Sequence, residues 1–336
     1  MRKLKFFIAG ALLAICVAAG SGGQLSASAA GTQYYLGGMT AGFSLSANGV
    51  EIVAFKEVSS ESGGGCPAAQ AGMKTGDLIV AVDGIHTRTI GELGDALARS
   101  GGKETQFLVK RNGESMEMSL VPLKDRKDGK YKIGILIRDT LSGIGTVTYI
   151  EKESGRFGSL GHAVCDESHA SLALAEATVY RCSVVGVSRG ERGRAGELKG
   201  LLLNDSPIAD ADKVCETGLY GKFSDGYDFS SAKTVEAAPI SQATIGKAVI
   251  YSTVDGIEPR EYEIAIAKVD AGNKNNKNFV IKVTDEELLR ETGGIVQGMS
   301  GSPIVQNGKL IGAVTHVFLN DPTRGYGIGI EKMLGN

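Results

Sequence analysis

Apolar and polar positions along the chain fall into three regimes. The first is an apolar run over residues 6–19 behind Arg2, Lys3 and Lys5, with the small residues Ala27-Ser28-Ala29 beyond it. A basic start, a short apolar stretch and an A-x-A site predict an export signal or N-terminal membrane anchor over residues 1–29. In the second regime, residues 33–124, the period changes from element to element. A buried strand is predicted over 78–82, an amphipathic helix over 90–99, and a hairpin of 105–111 with 115–121 around Asn112-Gly113. Residues 125–130 are charged and lack apolar anchors, which predicts a linker. The third regime, residues 131–336, predicts strands near 133–137, 145–150, 177–187, 248–252, 262–268, 278–283, 304–305, 310–317 and 326–330. Helical periodicity is nearly confined there to 285–291. Short strands between Gly and polar turns predict a mainly β chain with a closed or sandwiched antiparallel domain.

Composition narrows the function classes. The 48 glycines are spread through 336 residues rather than arranged in repeats, and there is no tryptophan. That suits many tight turns and excludes collagen-like or disordered chains. A net charge of −2 offers no basic stripe for a phosphate backbone, so no nucleic acid partner is expected. Beyond the leader stand Cys66, Cys165, Cys182 and Cys215, whose spacing makes no disulfide framework, and no bridge is expected. Cys165, Asp166 and His169 make at most a partial metal set, so neither metal nor cofactor is expected.

The chemistry concentrates at Gly298-Met299-Ser300-Gly301-Ser302-Pro303. A serine between glycines lets the backbone turn tightly and leave a hydroxyl and neighbouring N–H groups facing a cleft. Ser300 is the candidate nucleophile, and the Gly298 and Ser300 N–H groups are the candidate oxyanion hole. A Gly-Ser turn between strands is the plainer alternative. A serine hydroxyl needs a base. His162, in the strand-end context FGSLGH, is the first choice; His316 is the second, and His169 reads as surface. For the orienting acid the candidates are Asp285, which is also a natural helix cap, and Asp321, which also suits a turn. The run is close to the G-D-S-G-G-P of chymotrypsin-like proteases, with Met299 in place of the aspartate.

Two longer resemblances follow. From Pro67 to Gly84 the pattern P-A-A-x-A-G-x-x-x-G-D-x-I-x-x-V-x-G resembles a bacterial PDZ domain, an α+β module assigned here to residues 33–124. The resemblance implies a peptide groove with an x-Φ-G-Φ carboxylate loop, placed at Thr40-Ala41-Gly42-Phe43, that takes peptide termini by strand addition. His162 in G-x-L-G-H, Asp285 in V-T-D-x-x-L-L, residues 137–151 and the block 293–330 are similar to the stage IV sporulation protein B peptidases, the S55 serine peptidase family. That resemblance implies a chymotrypsin-like β-barrel domain over 131–336 and a His162, Asp285, Ser300 triad. It also implies export from the forespore into the space between its two membranes. The implied substrates are the enzyme's own N-terminal segment and a membrane-associated sporulation regulator, as in activation of pro-sigma-K processing. A non-catalytic scaffold with a vestigial serine loop is the reading from a different class.

Overall fold

The computed structural model describes residues 32–61, 63–164 and 174–335; the expected leader and the Cys165, Asp166, His169 set lie outside the described residues. The fold opens with β1 (Gln33–Leu36) and β2 (Thr40–Phe55). A small module follows: β3 (Val58–Ser60), β4 (Gly63–Gly65), α1 (Pro67–Gln70), β5 (Leu78–Val82), β6 (Ile85–His86), α2 (Ile90–Ser100), β7 (Thr105–Arg111), β8 (Glu114–Leu120), β9 (Leu123–Lys124) and β10 (Tyr131–Lys132). Helix α2 forms where its period predicts. Thr89 and Glu92 close a reciprocal cap at its start, Leu93, Ala96 and Leu97 are buried, and Gly101 ends it at φ 59°.

β11 (Ile135–Glu151) then runs back along β2, paired from Ile135 opposite Phe55 to Thr146 opposite Thr40. The remainder is β12 (Arg156–Ser159), β13 (Leu174–Ser188), β14 (Glu197–Cys215), β15 (Gly218–Phe223), β16 (Thr234–Ala237), β17 (Gly246–Ser252), β18 (Arg260–Val269), β19 (Phe279–Val283), α3 (Glu286–Thr292), β20 (Pro303–Gln306), β21 (Lys309–Phe318), β22 (Asp321–Gly329) and α4 (Ile330–Leu334).

Followed from partner to partner, the antiparallel pairings close two rings of six strands. One passes through β2, β11, β12, β15, β14 and β13 and returns to β2. The other passes through β17, β18, β19, β22, β21 and β20 and returns to β17. Closure removes free edges and gives each ring an inside. Phe43, Val147, Phe157, Val179 and Leu219 fill the first, and Ile250, Tyr262, Ile264, Phe279 and Val314 fill the second. β1 and β16 tie the rings together, since β1 pairs with β11 and β16, and β16 pairs with β21.

This topology corrects the expected domain boundaries. Residues 33–124 are not one unit, because β1 and the first half of β2 are built into the ring body. The module has its own core of Val50, Ile52, Ile79, Leu93, Phe107 and Ile133, and it sits at the far end of the β2–β11 ribbon as an insertion. Residues 125–130 are not a linker either. They turn the β9–β10 hairpin, with Asp125 buried and bonded to Lys132 at 2.7 Å. The expectation of no bridge concerned four cysteines; among the described residues Cys66 and Cys182 are free thiols, and Cys215 Sγ lies 3.2 Å from Thr217 Oγ1.

Candidate active site and peptide groove

The serine loop lies where the two rings meet. Helix α3 ends at Gly293 (φ 76°) and Gly294 (φ 136°), and the chain then buries Ile295, Val296 and Met299 around Gly298 (φ 96°). Thr146 of β11 clamps the loop twice: its Oγ1 donates to Gly298 O at 2.8 Å and its N–H donates to Ser300 O at 2.8 Å. Thr148 Oγ1 donates to Gly301 O at 2.8 Å, while the Gly301 N–H donates to Val314 O of β21 at 2.8 Å. Gly301 is required here, because a Cβ at its φ of 95° would stand 2.0 Å from Thr146 O. The Met299 and Ser302 N–H groups are also taken, by Val296 O and Met299 O. Among the described residues, those of Gly298 and Ser300 have no acceptor. Two unpaired N–H groups on a rigid turn beside a half-buried serine have the makings of an oxyanion hole.

Ser300 Oγ donates to Thr315 O at 2.9 Å. The same residue marks the approach of His162. After β12 the chain passes through two left-handed residues, Leu160 (φ 69°) and Gly161 (φ 72°), and a Cβ on Gly161 would meet Thr315 Cγ2 at 3.0 Å. Left-handed leucine is sterically unfavourable and is held here by its surroundings. His162 Nδ1 lies 2.7 Å from Ala163 O. A carbonyl only accepts, so Nδ1 carries the hydrogen and Nε2 keeps the lone pair that a base needs. The His316 ring, next along β21 from Thr315, stands 5.0 Å from the His162 ring between centroids, at an interplanar angle of 43°. Burial lowers the basicity of His162, opposed by the Ala163 hydrogen bond. Burial, then the charges of His162 and Lys277, push His316 down to about 4. Ser159 Oγ and Thr315 Oγ1 are buried at this corner without a partner among the described residues.

The structure thus gathers Ser300, His162 and His316 around Thr315. It does not join Asp285 to them. Asp285 caps α3, with Oδ1 accepting from the Leu288 N–H at 2.9 Å and Oδ2 from the Glu263 N–H at 3.2 Å. Asp321 Oδ1 is taken by the Thr323 N–H and hydroxyl at 3.2 and 2.6 Å. Among the described residues, no carboxylate is one of the groups that shift either imidazole. The sequence reading missed the Thr146 and Thr148 clamps and the Thr315 carbonyl. Alternating threonines in a strand, at 146 and 148, were the available signal.

The peptide groove also differs from expectation. Thr40-Ala41-Gly42-Phe43 cannot serve as its carboxylate loop, because these residues are buried in the first ring and Thr40 Oγ1 donates to Thr253 O at 3.0 Å. A second x-Φ-G-Φ run, Lys132-Ile133-Gly134-Ile135, stands at the module end of β11 instead. It borders a groove of about 940 Å³ between β11 and α2, lined by Ile90, Leu93, Leu97, Ile135 and Ile137. The Ile133 and Gly134 carbonyls accept from the Ala68 and Lys56 N–H groups at 2.9 and 3.0 Å, and the Ile133 and Gly134 N–H groups have no acceptor among the described residues. Because the Lys56 N–H donates to Gly134 O, Ile135 opposes Phe55 as a non-hydrogen-bonded pair and turns its own N–H and C=O away from β2, the disposition strand addition requires.

Residues 129–334 match the family SpoIVB peptidase S55, and residues 58–111 match a PDZ domain. The chain belongs to the S55 family. Among relatives, a Brucella suis protein named as a candidate zinc metalloprotease is 31% identical over 109 residues, covering 31% of this chain and 28% of its own length. A Lactococcus lactis protein of the same designation is 32% identical over 138 residues, covering 39% and 30%. The chain therefore spans less than a third of the length of these relatives, and their designation is theirs. Among solved structures, the inactive form of the Rv3671c protease of M. tuberculosis covers 57% of this chain and 81% of its own at 15% identity, with a TM-score of 0.33. Membership in the S55 family supports a serine endopeptidase, and the PDZ match supports peptide binding.

Proposed function

We propose that this S55 family member is a serine endopeptidase. Ser300 attacks the peptide carbonyl, His162 Nε2 takes the hydroxyl proton and returns it to the leaving amine, and the Gly298 and Ser300 N–H groups hold the tetrahedral oxyanion. The observation that carries this reading is the clamped loop, which leaves those two N–H groups unpaired beside the serine. Attack requires Oγ to leave Thr315 O and turn toward the imidazole. The Ala163 carbonyl fixes the tautomer as a triad acid would, although a neutral acceptor stabilises the imidazolium less than a carboxylate does. Asp285 is then a positioning residue, whose cap sets the start of α3 and so the entry to the serine loop.

We infer further that the chain is exported from the forespore into the space between its two membranes, tethered or released through residues 1–29, and that it cleaves its own N-terminal segment and a membrane-associated sporulation regulator. The family match and the basic, apolar leader support this. The groove between β11 and α2 would hold the tail of a substrate or of the chain itself, raising its effective concentration at Ser300.

The test compares the full chain with its Ser300→Ala form for self-cleavage fragments and for labelling by a serine-directed fluorophosphonate. Adduct on Ser300 and fragments from the unaltered chain alone are expected. Identical behaviour of the two would favour a peptide-binding scaffold, the reading suggested by Ser300 Oγ resting on Thr315 O with no carboxylate among the described residues shifting either imidazole.

A further inference from the structure

His162 and His316 come from different rings, one after β12 and the other within β21, yet their rings stand 5.0 Å apart. With Zn–N bonds of about 2.0–2.1 Å and tetrahedral angles, two imidazoles sharing one ion stand about 5 Å apart between ring centres. The other features of a histidine ligand pair are also present. His162 donates Nδ1–H to the Ala163 carbonyl, the outer contact that fixes a metal-binding imidazole with Nε2 facing the ion. The His316 ring makes no hydrogen bond among the described residues; one side is packed near His162, which accounts for its desolvation, while the residue as a whole is exposed, which leaves a nitrogen open and an entry path from solvent. Burial disfavours the protonated form of both rings, and neutral imidazole is the ligand form.

We propose that His162 and His316 form a site for zinc or a similar borderline divalent cation, and that the bound ion holds the peptidase inactive. Among the described residues no third His, Cys, Asp or Glu joins the pair, so water completes the coordination and the site is weaker than a structural one with four protein ligands. Binding involves no bond cleavage. The ion takes the Nε2 lone pair that would otherwise accept the Ser300 proton, and removing it restores the base. The inhibitory half rests on the assignment of His162 as that base; the binding half does not.

The full chain is titrated with zinc chloride against a zinc-indicating dye, alongside His162→Ala, His316→Ala and Ser300→Ala. Zinc affinity falling tenfold or more in each histidine variant, and not in Ser300→Ala, is expected. Fluorophosphonate labelling of the unaltered chain should be suppressed by zinc and restored by a chelator, whereas His316→Ala should label with little sensitivity to zinc. His316→Gln, with circular dichroism melts, separates lost ligation from lost folding. Unchanged affinity in His316→Ala overturns the site, including the case where only His162→Ala loses zinc and the ion is held by sequence neighbours of His162. Absence of labelling under every condition would sink the peptidase reading while the dye titration still decides the zinc site.

Discussion

β11 carries an N–H-presenting turn near each end, and the two are built differently. At its start, Ile133 and Gly134 present N–H groups over an open groove, and their carbonyls are satisfied within the module by Ala68 and Lys56. Toward its other end, Thr146 and Thr148 reach across to the serine loop and hold three of its carbonyls from inside the protein. Both turns use a glycine at positive φ, Gly134 at 85° and Gly301 at 95°, so both present amides in a way that other residues resist. What separates them is enclosure. The serine loop is wedged between two rings, as suits donors that must already be aimed when charge develops on a carbonyl. The groove loop stays open, as suits a ligand that must enter, pair along a strand edge and leave.

Substitutions at matching positions should break the two turns unequally. The largest effect is expected from Gly301→Ala, whose Cβ would meet Thr146 O at 2.0 Å with no flexible side chain to yield. Fluorophosphonate labelling should fall by roughly 10²-fold or more, and thermal unfolding should report destabilisation of several kcal/mol. Thr146→Val keeps the shape and removes the hydroxyl, leaving Gly298 O short of a partner inside the protein. A loss of about 1–3 kcal/mol is expected, read as a labelling rate slowed by roughly tenfold to a hundredfold with peptide binding intact. Gly134→Ala should do the reverse. Its Cβ would crowd Cys66 Sγ and Lys56 O at 2.8 Å, so affinity for a peptide terminus should fall about tenfold, or 1.4 kcal/mol, while the labelling of Ser300 holds. Equal loss of both readouts in any of these variants would mean the ends of β11 are not separable.

Local structure was legible in the sequence and long-range pairing was not. The α2 helix, the α3 cap and the tight Gly-Ser turn all depend on residues a few positions apart. The errors have one physical origin. Thr40–Phe43 has the sequence of a carboxylate loop, but its partners are in β11 and β13, about a hundred residues and more away, and pairing decides what it becomes. β11 read as two strands because Arg138, Asp139 and Thr140 interrupt its apolar run; opposite β2, Arg138 pairs with Glu51 at 3.0 Å and Asp139 accepts from the Ile90 N–H at 2.8 Å. Once the β2–β11 ribbon is known, the module becomes an insertion and the supposed linker a hairpin turn. Asp285 is the harder case, since a cap and a triad acid can have the same sequence context and only the hydrogen-bond partners tell them apart.

Acid titration probes the histidine side of the active site. The ordinary histidine value is 6.5, and burial lowers both His162 and His316, the latter to about 4. The unfolded chain therefore binds protons on these rings before the folded chain does, so the stability they contribute is present above pH 6.5 and is lost as the pH falls from there toward 4. Denaturant midpoints measured across that range should decline, and His316→Gln should decline less. In the same window His162 keeps its lone pair to lower pH than an exposed histidine, so labelling should persist somewhat below 6.5 before unfolding takes over.

The smallest effect is expected at Asp285, and its smallness is the point. If Asp285 were the acid behind His162, Asp285→Asn would be expected to lower turnover by about 10⁴-fold, because the amide would favour the wrong imidazole tautomer. In the structure its two oxygens accept from the Leu288 and Glu263 N–H groups, and asparagine is about as good a helix cap as aspartate. The swap should then slow self-cleavage only a few-fold and leave its pH profile in place. Asp285→Ala, which removes the cap, should cost about 1 kcal/mol of stability and loosen the start of α3. A 10⁴-fold loss in Asp285→Asn with melting unchanged would show that the carboxylate leaves its cap in the working enzyme and reaches His162. The serine side would then be the one that rearranges, reversing the contrast between a fixed serine loop and an open groove.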